Sequence, residues 1–109
     1  MDALAPLALV LTLAAAPAAA LMTCTFQTEC VDTAACAAAD FYLEMRDGEA
    51  RRLSTIFGEL DVVANDGGTW FARGQGMSLL LSRYEDGTAR ATVHMPDVGM
   101  IGYVGRCEG

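Results

Sequence analysis

From Cys24 onward, apolar and polar side chains alternate in short runs, a period of two that marks half-buried β-strands and not helices. Cys24, Phe26 and Thr28 share one face of a first strand over residues 24 to 29, and Phe41, Leu43 and Met45 share one face of a second, ended by Asp47-Gly48. Between them, Val31 to Ala39 breaks the pattern, and Asp32 or Thr33 is placed to cap a short helical turn through the alanines. Leu53, Thr55 and Phe57 alternate, as do Leu60, Val62 and Ala64, but the parity changes across Gly58-Glu59. A two-residue turn with glycine first would pair Phe57 with Leu60, Thr55 with Val62 and Leu53 with Ala64, placing all six on one face. The alternative is one long strand bulged at Gly58.

Asn65-Asp66-Gly67-Gly68 forms the next turn, Thr69 to Arg73 a short strand with the only tryptophan, and Gly74-Gln75-Gly76 another turn. The clearest hairpin follows, MSLLLSRY and TARATVHM joined at Glu85-Asp86-Gly87. A two-residue loop would set Leu81 against Thr92, burying one and exposing the other, whereas a three-residue loop sets Leu81 against Ala91, Leu79 against Val93 and Met77 against Met95. The three-residue loop is therefore expected, with Gly87 at its left-handed position. Pro96-Asp97 ends that strand, and Ile101, Tyr103, Gly105 and Cys107 line one side of the last. The pattern predicts an all-β fold, a small antiparallel meander of about eight short strands closed into a barrel or folded into a sandwich.

Residues 3 to 20 carry no charge and finish in Ala18-Ala19-Ala20, the small-residue end of a secretory signal peptide. Residues 1 to 20 are read as that signal, with no Lys or Arg in the n-region, and residues 21 to 109 as a single β domain. An uncleaved anchor fits less well, because the run is rich in Ala and broken by Pro6 and Pro17. The chain has seven arginines, no lysine and 14 acidic residues, a net charge of −7. That balance argues against nucleic acid or an anionic membrane surface, and favours a cationic partner on encounter.

A domain this small is marginal on hydrophobic burial alone, so covalent staples are expected. Four cysteines allow three pairings. The favoured one joins Cys30 to Cys36 across a turn and Cys24 to Cys107, tying the first strand to the last as a closed barrel requires. Periplasmic or secreted localisation follows from signal and cysteines together. Zinc sites favour ligands two to four residues apart in pairs, and the spacing here is C-x5-C-x5-C with one distant histidine, His94. No Cys-x-x-Cys redox motif occurs. Leu21-Met22-Thr23-Cys24 has the leucine of a lipoprotein signal, but acylation of Cys24 would leave one of the remaining cysteines unpaired.

Catalytic chemistry has little to draw on, and the chain is read as no enzyme. Ser78, His94 and Asp97 can be assembled as a nucleophilic set on paper, and Glu59 with Asp61 as a carboxylate pair, but these residue types decorate most solvated hairpins. The glycines punctuate turns and form no phosphate loop. His94-Met95 and Met100 would suit copper, although Met95 shares a face with Val93 and Ala91 and reads as core. No metal or other cofactor is expected.

The opening C-x-F-x-T-E-C, with H-M-P and G-Y-V-G-R-C-E near the end, resembles an uncharacterised group of small exported four-cysteine proteins of Gram-negative bacteria. More remotely, Gly68-Thr69-Trp70 and Tyr103-x-Gly105-x-Cys107 are similar to the periplasmic C-type lysozyme-inhibitor barrels. Those families present a Ser-Gly-x-x-Tyr loop to the enzyme's carboxylates, and this chain has no Ser-Gly there. The expectation is a non-enzymatic periplasmic binding module for a cell-envelope protein, with Trp70, Arg73 and His94 as candidate partner-binding residues. The alternatives are a lysozyme-inhibitor-like protein, using Asp66 to Arg73 or Pro96 to Gly99, and a copper-handling protein.

Overall fold

A computed structural model describes residues 22 to 46 and 51 to 109. The signal-peptide reading of residues 1 to 20 and the turn at Asp47-Gly48 lie outside these residues. The strands are β1 (Met22–Val31), β2 (Ala37–Arg46), β3 (Arg52–Thr55), β4 (Gly58–Asp66), β5 (Thr69–Gly74), β6 (Met77–Arg83), β7 (Thr88–Met95) and β8 (Gly99–Glu108). Every neighbouring pair is antiparallel, and β8 returns to β1, so the meander closes into a barrel. Closure resolves the barrel-or-sandwich alternative and leaves no free sheet edge.

Period two does what it predicts over most of the chain. Phe26, Phe41, Leu43, Met45, Leu79, Leu81 and Val93 point inward and are buried. Their side chains fill the interior, as they do in barrels of this strand number. Phe26, Phe41 and Tyr103 form an aromatic cluster, the last two stacked at 4.3 Å. Leu79 faces Val93 and Leu81 faces Ala91, the three-residue-loop register. The Gly87 N–H donates to Tyr84 O at 3.0 Å and the Tyr84 N–H to Thr88 O at 2.9 Å. Gly87 carries the positive φ of 90° that this loop demands.

Two local expectations are corrected. The β3–β4 turn is Ile56-Phe57, not Gly58-Glu59: Leu53 opposes Leu60 and Thr55 opposes Gly58. Leu53 and Leu60 are both fully buried, so this register buries the two leucines against each other. Phe57 is left half-exposed in the turn, 5.9 Å from the Phe41 ring. The Thr55 hydroxyl holds the turn, accepting from Phe57 N at 3.0 Å and donating to Gly58 O at 2.8 Å. The helical turn expected between Val31 and Ala39 is also absent. Asp32 takes a positive φ of 47°, its N–H donates to Met100 O at 2.9 Å, and Ala37 to Ala39 already belong to β2. Pairing of Val31 and Asp32 with β8, pairing of Ala37 and Ala38 with β1, and the covalent link from Cys36 back to Cys30 leave the alanines no room to coil.

The disulfides are Cys24–Cys107 and Cys30–Cys36. Cys24 and Cys107 face each other across the β1–β8 ladder, buried inside the barrel, so the longer link bolts the closing seam. By chain entropy it contributes about 4 to 5 kcal/mol, and the short link about 2. Two such bonds indicate an oxidising compartment. Beside the seam, β1 is bulged between Phe26 and Thr28, and Gly105 fits against the bulge. A Cβ on Gly105 would run into Thr25 O and lie 2.6 Å from Phe26 Cα.

A candidate binding surface on strands β5 to β8

Alternation that fills the interior also decides what remains outside. On β5 to β8 the outward residues are Thr69, Phe71 and Arg73; Ser78, Leu80 and Ser82; Arg90, Thr92 and His94; and Met100, Gly102 and Val104. Ladder pairing arranges them in rows around the barrel. One runs Ala64, Phe71, Leu80, Thr92, Gly102, and the row above it runs Asp61, Arg73, Ser78, His94, Met100. Leu80 is 44% exposed, Met100 45% and Val104 41%. A bulge in β4 between Val62 and Ala64 leaves Val63 half-exposed at the margin.

These side chains enclose a continuous shallow groove. One depression of about 180 Å³ lies between Phe71, Leu80, Thr92, His94 and Met100. Another of about 240 Å³ continues it from Phe71 and Leu80 toward Ala64, Asn65 and Thr69. The groove exists because large residues on β5 and β6 stand beside Thr92 and Gly102, which rise little from the sheet. Strands β5 to β8 hold four arginines, a histidine and one carboxylate, Glu108 at the end of β8. Arg83 turns to the barrel end and Arg106 to the β6–β7 loop, which leaves Arg73, Arg90 and His94 on this face. Strands β1 to β4 carry Glu29, Asp40, Glu44, Glu59, Asp61 and Asp66 against Arg46 and Arg52. The surface is divided by sign.

Acidic groups do border the face. Asp61 sits across from Arg73 at the β4 margin, but its carboxylate turns to Arg52, at 3.4 Å. Arg52 also meets Glu59 at 3.2 Å, so the suggested Glu59 and Asp61 pair forms an exposed fork on one guanidinium, of small energetic weight. Asp66 closes one end of the groove, and Asp97 stands in the turn after β7. Asp86 lies in the β6–β7 loop with its carboxyl held below the usual range by the Thr88 hydroxyl and N–H, at 2.6 and 2.9 Å, and by Arg106. Arg106 donates to Asp86 O at 3.0 Å and so belongs to that loop. Arg73 and Arg90 make no ion pair among the described residues.

The three residues singled out from sequence part company. Arg73 and His94 are exposed on this face, two strands apart in one row. Trp70 points inward and is 9% exposed, and its indole N–H has no hydrogen-bond partner among the described residues. It stands at the barrel end with Met22, Met45 and Arg83, where Arg83 donates to Gly109 O at 2.8 Å. Ser78 and His94 are cross-strand partners, but Ser78 is half-buried while His94 and Asp97 lie open to water, and no hydrogen bond joins the three among the described residues. His94 also opposes Met100 on the outer face, while Met95 packs partly buried against the core. No group of three or more His, Cys, Asp or Glu converges among the described residues. No described helix is long and apolar enough to cross a membrane.

Compared with known proteins, the chain matches no family model, no curated protein and no solved structure.

Proposed function

We propose that this protein is a non-enzymatic binding module of the periplasm or the secreted space, and that its working surface is the outer face of β5 to β8. The observation that supports this reading is the groove around Phe71 and Leu80. Apolar side chains held at that exposure on a barrel whose interior is already filled contribute nothing to the core, and contiguous patches of this kind mark contact surfaces. A closed barrel has no edge to which a partner could add a strand, so contact runs through side chains. Hydroxyls of Thr69, Ser78, Ser82 and Thr92 around the apolar floor supply the directional contacts that such a patch needs for specificity.

The test uses the oxidised protein as bait on an envelope extract, with Leu80→Ser alongside. Leu80 lies outside the core, so the variant folds as the parent does. A component retained by the parent and lost with Leu80→Ser supports the reading, and identical retention by both contradicts it.

One observation favours a second reading, copper handling: the imidazole of His94 and the thioether of Met100 are direct neighbours on the surface. Titration with Cu(I) against a competing chelator decides it. His94→Ala should abolish binding at unchanged thermal stability, and retained affinity removes this reading.

A further inference from the structure

We infer that the groove on β5 to β8 receives an extended acidic segment of a partner protein, one that alternates carboxylate and apolar side chains. The inference rests on the binding-surface reading above and adds the chemistry of the occupant. Net charge alone points the other way, because a chain at −7 draws in cations from a distance. At contact range the local distribution takes over, since charges beyond about 8 to 10 Å are screened at physiological salt.

Within that range the groove meets Arg73, which opposes Ser78 above the Phe71 and Leu80 pair, and Arg90, which opposes Ser82 below it. The two guanidiniums flank the apolar floor from opposite sides, and His94 stands at its upper end. Every strand position between them is hydroxylic or apolar. A carboxylate placed beside either arginine would gain a charge-assisted, fork-shaped hydrogen-bond partner, while a leucine-sized side chain between Phe71, Leu80 and Met100 would leave water. Four inter-strand steps from β4 to β8, at about 4.8 Å each, make the groove about 19 Å long, the span of about six extended residues.

The boundaries of the face argue for a short segment over a broad polyanion. Asp66 closes one end, Asp86 lies in the loop below, Asp97 tops the β7–β8 turn and Asp61 stands at the β4 side. A phosphate polymer or an anionic bilayer extends past the arginines and meets these carboxylates, whereas a segment with a few acidic residues fits inside them.

Fluorescence anisotropy with labelled hexapeptides tests this, using alternating Asp and Leu, alternating Lys and Leu, and alternating Asp and Ser. The Asp–Leu peptide should bind about tenfold or more tightly than the other two at low salt, and weaken as salt is added. Arg73→Glu with Arg90→Glu, and separately Leu80→Ser, should each cost about tenfold or more in affinity. Arg46→Glu with Arg51→Glu changes the net charge by the same amount away from the groove, leaves the Arg52 contact with Asp61 in place, and should leave binding within about twofold, which separates local from overall charge. If the Lys–Leu peptide binds better and Leu80→Ser abolishes that binding, the acidic occupant is wrong and the surface stands. If a peptide binds and neither β5 to β8 variant weakens it, the surface is wrong as well. Binding to phosphatidylglycerol vesicles with no peptide binding would overturn the protein segment in favour of lipid, and no binding to any probe would overturn the inference outright.

Discussion

Strand β8 helps to build two regions with opposite duties. Its inward residues, Ile101, Tyr103, Gly105 and Cys107, close the barrel against β1, while on its outer side Met100 lines the groove and Gly102 and Val104 lie beside it. Two glycines three positions apart show the difference. A Cβ on Gly105 collides with the backbone of Thr25 and Phe26, whereas one on Gly102 finds its nearest neighbour, Cys30 O, at 3.8 Å. One glycine lets the seam close, and the other keeps a floor low. In a closed sheet the two faces alternate residue by residue, so the core and the outer surface can be altered separately along one strand.

The largest effect should come from unbolting the seam. Cys24→Ala with Cys107→Ala is expected to cost about 4 to 5 kcal/mol in denaturant titrations, a large share of the roughly 5 to 15 kcal/mol that holds an ordinary domain folded. Gly105→Ala should cost about 3 kcal/mol through overpacking at the bulge, seen as a fall in urea midpoint with the slope unchanged. Cys30→Ala with Cys36→Ala removes only the short ring, and about 2 kcal/mol is expected.

The seam should also show itself at alkaline pH. Burial, and then the charge of the nearby Glu29, raise the Tyr103 hydroxyl from an ordinary 10.0 to about 12. The unfolded chain therefore releases that proton first. The stability held by neutral Tyr103 is complete below pH 10 and is lost as pH rises through about 12. Urea midpoints measured across that window should fall less steeply in Tyr103→Phe, and equal slopes in parent and variant would contradict the assignment. Smallest of all for stability are Gly102→Ala and Leu80→Ser, each expected within about 0.5 kcal/mol of the parent. Both should weaken binding, the first by filling the floor and the second by removing its wall.

Much of this was legible in the chain, for identifiable reasons. The β6–β7 register follows from faces alone, because only one loop length buries Leu79, Leu81, Ala91 and Val93 together, and Gly87 agrees with it. The disulfide pairing favoured from the sequence is the one that a closed barrel demands of its first and last strands, while the pattern itself left barrel and sandwich both open. The β3–β4 turn was not legible, because its two residues, Ile56 and Phe57, are both apolar and read as strand. Trp70, a candidate partner-binding residue from the sequence, alternates with Ala72, so parity turns it inward and puts Phe71 on the outside with Arg73. The groove depends on Phe71, Leu80, Thr92 and Gly102 being neighbours across four strands, which becomes visible only when all the registers are known. The absence of any Asp or Glu between Asp66 and Glu85 was a signal present in the sequence, and the net charge concealed it.

Whether the groove on β5 to β8 is where the protein binds can be read by amide chemical-shift mapping, with the Asp–Leu hexapeptide titrated into the oxidised protein and followed by heteronuclear NMR. The shifts should concentrate on β5 to β8, at Phe71, Leu80, Thr92 and Gly102, with Arg73 and Arg90 at the borders and β2 and β3 unmoved. Shifts centred on β1 to β4, or on the barrel end around Met22 and Trp70, would contradict it.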